Sequence, residues 1–400
     1  MIAPTSSNQN DLLGVVPSAT FLACSWTWCI GMYLPVFLIG DFGWPAWVSF
    51  AIPNVFGAML VGFVHTTRAS ASHFAERHAN AVRLFSLVTV LFHVVFLSWF
   101  LTLPLATLLS LPAWASPPAV VALLLLALAL SELSFHRLCA LAPIVWIASV
   151  ALLVLAGATS NWQSIQAPPP LREEMMVALA WLTPALALGF MACPHLDRTF
   201  LRVCEHTPDS RRRIVFVLGF GVFFLAMIVA TMLYAQGFIT SRSLSHYVFA
   251  HIVLQSVFTM GAHLRELRLS GFVLARPDAN ARRLWIDRLA LGALIVLGLS
   301  VFNSRDSDSH RFVYDLVLSM YALVFPAYVW IVAINRSRAP RQPISILIAT
   351  VLLASPLFWL GAIERDWLWL TPGVGLVLVA PLVARLLPSR RSSDHALTPL

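Results

Sequence analysis

Lysine is absent from this chain of 400 residues, and charged residues of all kinds make up only 11% of it. Soluble domains average about 25% charged residues. Hydrophobic residues account for 59%, and the mean hydropathy is +0.81. A soluble core cannot bury so much apolar side chain beneath a polar surface, so the composition excludes a soluble globular protein and indicates one dissolved in a lipid bilayer.

Other absences narrow the functional classes. The five cysteines form no CxxC pair and lie mostly in apolar runs, which favours buried small side chains over disulfides or metal ligands. The chain has no GxSxG, HExxH, phosphate-binding loop or glycine-rich dinucleotide turn. We therefore expect neither an enzyme nor a resident cofactor or metal. The formal charge of +8 comes from arginines in loops, whereas the aromatic residues lie in the apolar runs, so we expect no nucleic-acid partner.

Long apolar runs are what the chain does contain. Runs of about 20 residues bounded by Arg, Pro or polar clusters predict an all-α, polytopic transmembrane bundle of about twelve spans. Residues 1–11 are polar and lack a basic region or cleavage site, so we expect the first span to be retained. The predicted spans are 12–39, 44–64, 83–103, 118–136, 138–157, 175–195, 213–236, 246–265, 288–304, 312–335, 343–363 and 367–387.

Arginine supports this count independently. The loop after every even-numbered span contains arginine, from one after the fourth span to six after the eighth, and the tail contains three, whereas the alternate loops together hold five. Because arginine accumulates in short cytoplasmic loops, the pattern predicts a multi-pass protein of the plasma (inner) membrane of a bacterium with both termini in the cytoplasm.

The first and sixth spans are both interrupted. Gly31 and Pro35 lie within the first, and Pro184, Gly189 and Pro194 within the sixth. Paired interrupted spans in corresponding positions of two halves point to the binding site of a transporter. Backbone groups freed at mid-membrane are tolerated where they line a cavity. The predicted walls are residues 26–33 and 184–191, with the substrate-binding candidates Trp26, Trp28, Gly31, Tyr33, Trp181, Pro184 and Gly189. The alternative is that Pro and Gly only kink two packed helices and that the tryptophans fill gaps.

This placement predicts two five-helix repeats of opposite orientation, because five is an odd number of crossings. The first repeat covers residues 12–157 and the second covers 175–335. Two additional helices at 343–387 complete a single integral membrane domain.

Three stretches resemble the sodium/solute symporter family. Residues 25–63 resemble its first two core helices, through Ser25-Trp26, Gly31, the turn at 40–44 and the spaced glycines Gly57 and Gly62. The end of the sixth span, GFMACPHLDRTFLR, is similar to its sixth core helix. The resemblance implies the five-plus-five inverted repeat of the LeuT type, within the APC superfamily.

In that family, sodium lies between carbonyls of the first core helix and an adjacent hydroxyl pair on the eighth. The matching positions here are Phe21, Cys24, Ser256 and Thr259, which are the predicted ion-binding residues. Ser256 and Thr259 are three residues apart rather than adjacent, and residues 21–24 lack an acidic group. The coupling ion therefore stays open between Na⁺ and H⁺.

Several ionisable residues fall in or near the spans. His93 lies near the middle of the third span, where it could bind substrate or relay protons, or could simply bond a backbone carbonyl. His251 and His263 lie nearer the ends of the eighth span, which favours structural roles. We expect Arg311 to pair with Asp315, Glu132 to pair with His136 or Arg137 at the interface, and Asp41 to bond within its turn. Asp197 could belong to an inner gate or to a solvated loop.

Together these features predict a symporter-like secondary transporter that moves a small polar solute by alternating access, with spans 1, 2, 6 and 7 rocking against the rest. The alternative is a transporter-derived sensor or partner-binding module without net transport. The expected partners are a small-molecule solute and the lipid bilayer. The sequence leaves open a homo-oligomer or a membrane partner.

Overall fold

The computed structural model describes residues 14–159, 172–241, 245–271, 307–334 and 341–386. Every regular element within these ranges is helical. The α-helices are α1 Val15–Trp26, α2 Cys29–Phe42, α3 Trp44–Val64, α4 Arg68–Arg77, α5 Ala79–Phe100, α6 Thr102–Leu109, α7 Ser116–Ser131, α8 Phe135–Thr159, α9 Glu173–Ala192, α10 Arg198–His206, α11 Asp209–Leu218, α12 Leu225–Val229, α13 Thr231–Ser241, α14 His246–Leu269, α15 Ser307–Tyr328, α16 Arg341–Phe358 and α17 Leu370–Leu386.

Most predicted spans correspond to a helix of sufficient length. Within the described ranges, eight helices are long and apolar enough to cross a membrane, or nine when the bent pair α1–α2 counts as one. Two shorter apolar helices, Ser116–Ser131 and Trp367–Leu382, fall at the predicted fourth and twelfth spans. The predicted ninth span, 288–304, lies outside the described residues, so the total of twelve stays a prediction.

The outer surface of the bundle is apolar. Ile144, Leu352 and Leu353 are each more than 60% exposed, and similar side chains recur along α3, α7 and α8. A continuous apolar exterior is stable in hydrocarbon and would aggregate in water. The fold is therefore that of a multi-pass helical membrane protein.

Around the breaks described below, two groups of helices pack mainly within themselves, although α1 also contacts α14 directly. The first group consists of α1, α2, α3, α9 and α11–α13; the second consists of α5, α7 and α14. Helix α8 packs against α1 and α14, and the short α10 packs against α1, α5 and α14. Helices α8 and α10 therefore lie at the boundary between the two groups.

The packing of α3 against α9 depends on Gly57. A Cβ atom at Gly57 would lie 2.1 Å from the backbone oxygen of Phe190. Close backbone approach of this kind is common where small residues line membrane helix interfaces. It holds α3 and α9 together as one unit of the first group.

Three helices contain π-helical turns, at Gly219–Phe224, Val329–Ala333 and Trp359–Ile363. Such turns insert an extra residue into the hydrogen-bond ladder and are frequent at functional sites. The first of them follows α11 and packs against α1.

Candidate functional site

The first span is broken between Trp26 and Cys29, where α1 and α2 meet at 55°. The Thr27 hydroxyl donates to the Ala23 carbonyl at 2.7 Å, and the Trp28 indole N–H donates to the Ser25 carbonyl at 2.9 Å. The Trp28 indole thus takes the place of the Cys29 N–H at the Ser25 carbonyl, whereas the Ala23 carbonyl also keeps the backbone N–H of Thr27. The predicted interruption of this span is present, but it precedes Gly31 and Pro35, both of which lie inside α2.

His93 on α5 caps the second half of this span. Its Nδ1 lies 2.8 Å from the Thr89 carbonyl, which can only accept, so Nδ1 holds the proton. Its Nε2 is therefore free to accept the backbone N–H of Cys29, at 3.3 Å. The neutral imidazole satisfies a donor that the first turn of α2 leaves without a helical partner.

The sixth span is broken at Pro194, the last of its three predicted interruptions, and not at Pro184 or Gly189. Helix α9 continues through Pro184 and Gly189 to Ala192, and a 3₁₀ turn at Cys193–Leu196 and Asp197 separates it from α10. The predicted wall 184–191 is therefore helical. Pro184 is accommodated because proline removes only one helical hydrogen bond, which membrane helices tolerate.

Asp197 begins α10 and is fully buried. Its Oδ1 accepts the backbone N–H of Thr199 at 2.8 Å and the Thr199 hydroxyl at 2.7 Å. This is the arrangement of a helix N-cap. A solvated loop, one of the two predicted roles of Asp197, is wrong, because the break folds inward.

The two breaks touch each other. The hydroxyl oxygens of Thr199 and Ser25 lie 3.1 Å apart, and the rings of Phe200 and Trp26 are 5.1 Å apart. The start of α10 therefore rests on the end of α1.

Beside this contact lies a pair of buried polar side chains without hydrogen-bond partners. Asp197 Oδ2 and both ring nitrogens of His263 are unpartnered, and His263 Nε2 lies 3.7 Å from Asp197 Oδ2. Leaving a buried polar group unsatisfied costs about 1–3 kcal/mol. Such groups in a native structure call for an explanation, such as an ion, a water or a ligand.

Trp28 forms the apolar wall of the site. Its ring lies 5.6 Å from His263, 6.3 Å from His93 and 5.6 Å from Tyr321. Trp26 lies 4.9 Å from Trp28 and donates its indole N–H to Asn54 at 2.7 Å. The structure thus brings together three of the predicted site residues, Trp26, Trp28 and His93.

The predicted ion-binding residues are partly joined. The Thr259 hydroxyl donates to the Cys24 carbonyl at 2.9 Å. Ser256 is buried with no partner for its hydroxyl among the described residues, and Phe21 packs on Phe135 and Phe258. All five cysteines are buried and free, as predicted.

The other predicted residues lie elsewhere. Tyr33 belongs to an aromatic cluster further along α2, with Phe37 and Trp99, and Gly31 faces Phe224. Gly189 lines a separate cleft, and Trp181 contacts Thr371 of α17 through its carbonyl.

At one end of the bundle, which we call the basic end, arginines surround two glutamates. Arg202 pairs with Glu266 at 2.7 Å and with Glu205 at 3.0 Å, and Arg198 pairs with Glu205 at 2.9 Å. Arg265 also pairs with Glu266, at 2.6 Å. The Arg202–Glu266 pair joins α10 to α14, and Arg198, Arg202 and Glu266 border a cleft of about 520 Å³.

At the other end, which we call the acidic end, Arg311 bridges two carboxylates. It lies 2.7 Å from Asp41 and 2.8 Å from Asp315, and its guanidinium stacks 3.8 Å from the Phe37 ring. The predicted Arg311–Asp315 pair is confirmed, whereas Asp41 bonds beyond its own turn. These charges border a largely apolar cleft of about 700 Å³.

Glu132 pairs differently from the prediction. It bonds Arg268 of α14 and not His136 or Arg137. The bond joins the end of α7 to the end of α14, which sequence spacing within one loop could not indicate.

Two histidines outside the spans are buried in neutral form. Burial, together with the Arg212 guanidinium, lowers the pKa of His65 to about 4. Burial, together with Arg77 and His73, lowers the pKa of His78 to about 4. Both histidines therefore stay uncharged until the medium is distinctly acidic.

Sequence reasoning missed the pairing of Asp197 with His263 and the support from Asn54. A buried acid and a histidine from different spans leave no local spacing pattern. The signal that was available was Pro194 with His195, which marks the true break. Within the described residues, no three His, Cys, Asp or Glu side chains converge as a metal site.

Comparisons with known proteins extend the fold assignment. No protein-family model and no curated protein matches the chain. Among solved structures, it is similar to a manganese transporter of Eremococcus coleocola in complex with an aromatic bis-isothiourea substituted compound, with a TM-score of 0.52 and 12% identity over 96% of each chain. A mutant of the same transporter gives a TM-score of 0.51 at 11% identity, again over 96% of each chain. The chain therefore has the fold of that transporter along nearly its whole length.

Proposed function

We propose that this chain is a secondary active transporter that moves a small polar solute across the membrane by alternating access. The observation that carries the proposal is the direct contact of two helix breaks beside buried polar groups that lack partners. Broken helices supply backbone and side-chain groups at the point where a transporter holds its substrate. The fold shared with the manganese transporter supports the same proposal.

The proposed core is the LeuT-type inverted repeat, with the first group of helices rocking against the second. Two hydrogen bonds cross between the groups at the site, from the Cys29 N–H to His93 and from the Thr259 hydroxyl to the Cys24 carbonyl. Asp197, carried by the boundary helix α10, also approaches His263 at 3.7 Å. Ion pairs lie at both ends of the bundle. These features suit a site that opens alternately to each side.

We propose that the solute lies against Trp28, between the two breaks. An indole face suits an apolar or cationic portion, and the imidazole of His263 suits a hydrogen-bonding group. Manganese, the cargo named for the structural relative, prefers several oxygen ligands. The single carboxylate here favours a small polar solute over a metal ion.

The basic end is proposed to face the cytoplasm, because arginine is retained on that side of a membrane. We propose that both termini lie on that side as well, and that the membrane is the bacterial inner membrane. The acidic end with Arg311 then faces outward.

Labelling of Cys29 tests alternating access even while the solute is unidentified. A variant that retains only Cys29, reconstituted in liposomes, is exposed to an impermeant maleimide from either side. We expect labelling from both sides, and a transported solute should change its rate. A variant that retains only Cys139, which is buried on α8 and belongs to neither break, is the control. Cys29 labelling from one side only, under all conditions, would contradict the proposal.

A panel of amino acids, amines, carboxylates and Mn²⁺ then identifies the substrate class through uptake into the liposomes. Trp28→Ala should abolish uptake of the correct solute. The alternative function is that of a sensor without net transport. The observation that favours it is the Thr259–Cys24 hydrogen bond, which occupies a hydroxyl and a carbonyl that a sodium site would need. A solute that raises thermal stability yet never accumulates would favour the sensor.

A further inference from the structure

We infer that Asp197 and His263 together form the site at which the coupling proton binds, an inference that rests on the proposed transport function. Both side chains are fully buried, and they approach each other at 3.7 Å without forming a hydrogen bond. No other described group bonds Asp197 Oδ2 or either nitrogen of His263.

One added proton would allow Asp197 and His263 to form a hydrogen bond with each other. On His263 it creates an imidazolium that the carboxylate of Asp197 attracts, and on Asp197 it creates a hydroxyl that can donate to His263. In either case a single proton enters from the open side and leaves to the other, and no bond between heavy atoms changes. The pair then closes to hydrogen-bonding distance.

The position of the pair links proton binding to movement. Asp197 belongs to the start of α10, which rests on α1 through Thr199 and Ser25. His263 belongs to α14, which packs with α5 and α7 in the second group. Protonation therefore strengthens attraction across the boundary between the two helix groups, which is where alternating access requires a change.

The neighbouring ionisable groups are already engaged or are neutral. His93 is held by Thr89 and Cys29, and Glu266 is held by Arg202 and Arg265. Three ionisable groups on neighbouring elements face the pair: His93 of α5 faces His263, and Glu266 of α14 and Tyr321 of α15 face Asp197. Behind them, Cys29 and Cys193 lie near Tyr321, and Arg198 and Arg202 lie on Glu266.

Infrared difference spectroscopy tests the site with the proton itself as the probe. Purified protein is taken from about pH 8 to about pH 5, a range in which histidine and buried carboxyls titrate. We expect one carboxyl or imidazolium signal, shifted in D₂O, that both Asp197→Asn and His263→Gln remove. Asp315→Asn, which alters a paired carboxylate at the acidic end, should leave that signal intact.

Asp197→Asn should fold, since its amide oxygen can still accept the Thr199 N–H, and His263→Gln provides a second test. A signal that persists in both variants, or none in the wild type, would overturn the inference.

Transport assays distinguish a failure of this inference from a failure of the proposed transport function. With the solute identified by the panel, Asp197→Asn should lose uptake driven by a pH gradient yet retain solute exchange. Loss of exchange as well would make Asp197 a substrate anchor and the inference wrong. An intact infrared signal in a protein that moves no solute would instead contradict the transporter function.

Discussion

His93 accepts a backbone N–H and donates to a backbone carbonyl, so its role at the break depends on its being neutral. Replacing it by Phe should leave the Cys29 N–H buried without an acceptor, a loss of about 1–3 kcal/mol. His93→Gln, whose amide oxygen can accept, should lose less. Thermal unfolding in detergent compares the two variants, and equal losses would argue against a capping role.

His65 predicts a pH dependence of stability. Its folded pKa of about 4 lies below the value of about 6.5 expected when unfolded. Its contribution to the free energy of unfolding is therefore fully present above about pH 6.5 and is lost as the pH falls toward 4. The loss amounts to about 2 kcal/mol at about pH 5.

The melting temperature of His65→Gln should accordingly fall less than that of the wild type between about pH 7.5 and about pH 5. His73→Gln, at an exposed position on the neighbouring helix α4, serves as the control and should match the wild type. Parallel curves for all three proteins would show that His65 does not titrate as described.

At single residues, the sequence indicates chemistry better than location. His93 is recognisable because it lies inside an apolar run. The position of His263 nearer a span end favours a structural role, and the arginines beside Asp197 suit a gate and a loop equally. Burial of both residues comes from α10 folding back against α14, a long-range contact that no local pattern encodes.

Among the helices, the contact between α3 and α9 gives the sharpest prediction. Gly57→Ala should lower the free energy of unfolding by about 1–3 kcal/mol or more. The added Cβ would meet the backbone of Phe190 and not a movable side chain. Gly375→Ala, where an added Cβ meets nothing within 4 Å, should be neutral or slightly stabilising. Similar melting temperatures for both variants would contradict the close approach.

Helix composition predicted the elements well, but of the residues taken to interrupt the two spans only Pro194 lies in a break. The first break falls inside the predicted wall 26–33, ahead of Gly31 and Pro35. Pro35 and Pro184 lie in continuous helices, whereas the first break contains neither Pro nor Gly. That break is stabilised by tertiary partners: the Cys29 N–H finds His93, and the Cys24 carbonyl finds Thr259. A sequence shows where helices can bend, but partners on other helices decide where they do.

For the molecule as a whole, weakening the charge pairs at either end should increase access to the site, each from a different side of the membrane. Asp41→Asn weakens the Arg311 bridge at the acidic end, and Glu205→Gln weakens the arginine pairs at the basic end. In the background that retains only Cys29, we expect each variant to speed maleimide labelling from its own side. The same side for both variants would contradict the assignment of the two ends as gates.

The overall architecture followed from hydropathy, since each predicted span within the described residues meets an apolar helix, two of them short. The pairing of helices did not follow, because side chains in lipid carry little information about which neighbour they face. Glu132 illustrates this, with its partner Arg268 far along the chain.

The backbone contact at Gly57 has a mechanical consequence. Ordinary helix pairs can slide because side chains between them rotate, but α3 and α9 have no such layer at that point. Helices α3 and α9 therefore move together as one rigid unit. Bending is then easiest at residues 27–28 and 193–197, the two flexures where one α-helix ends and the next begins, and Asp197, whose Oδ2 has no hydrogen-bond partner among the described residues, lies in the second of them.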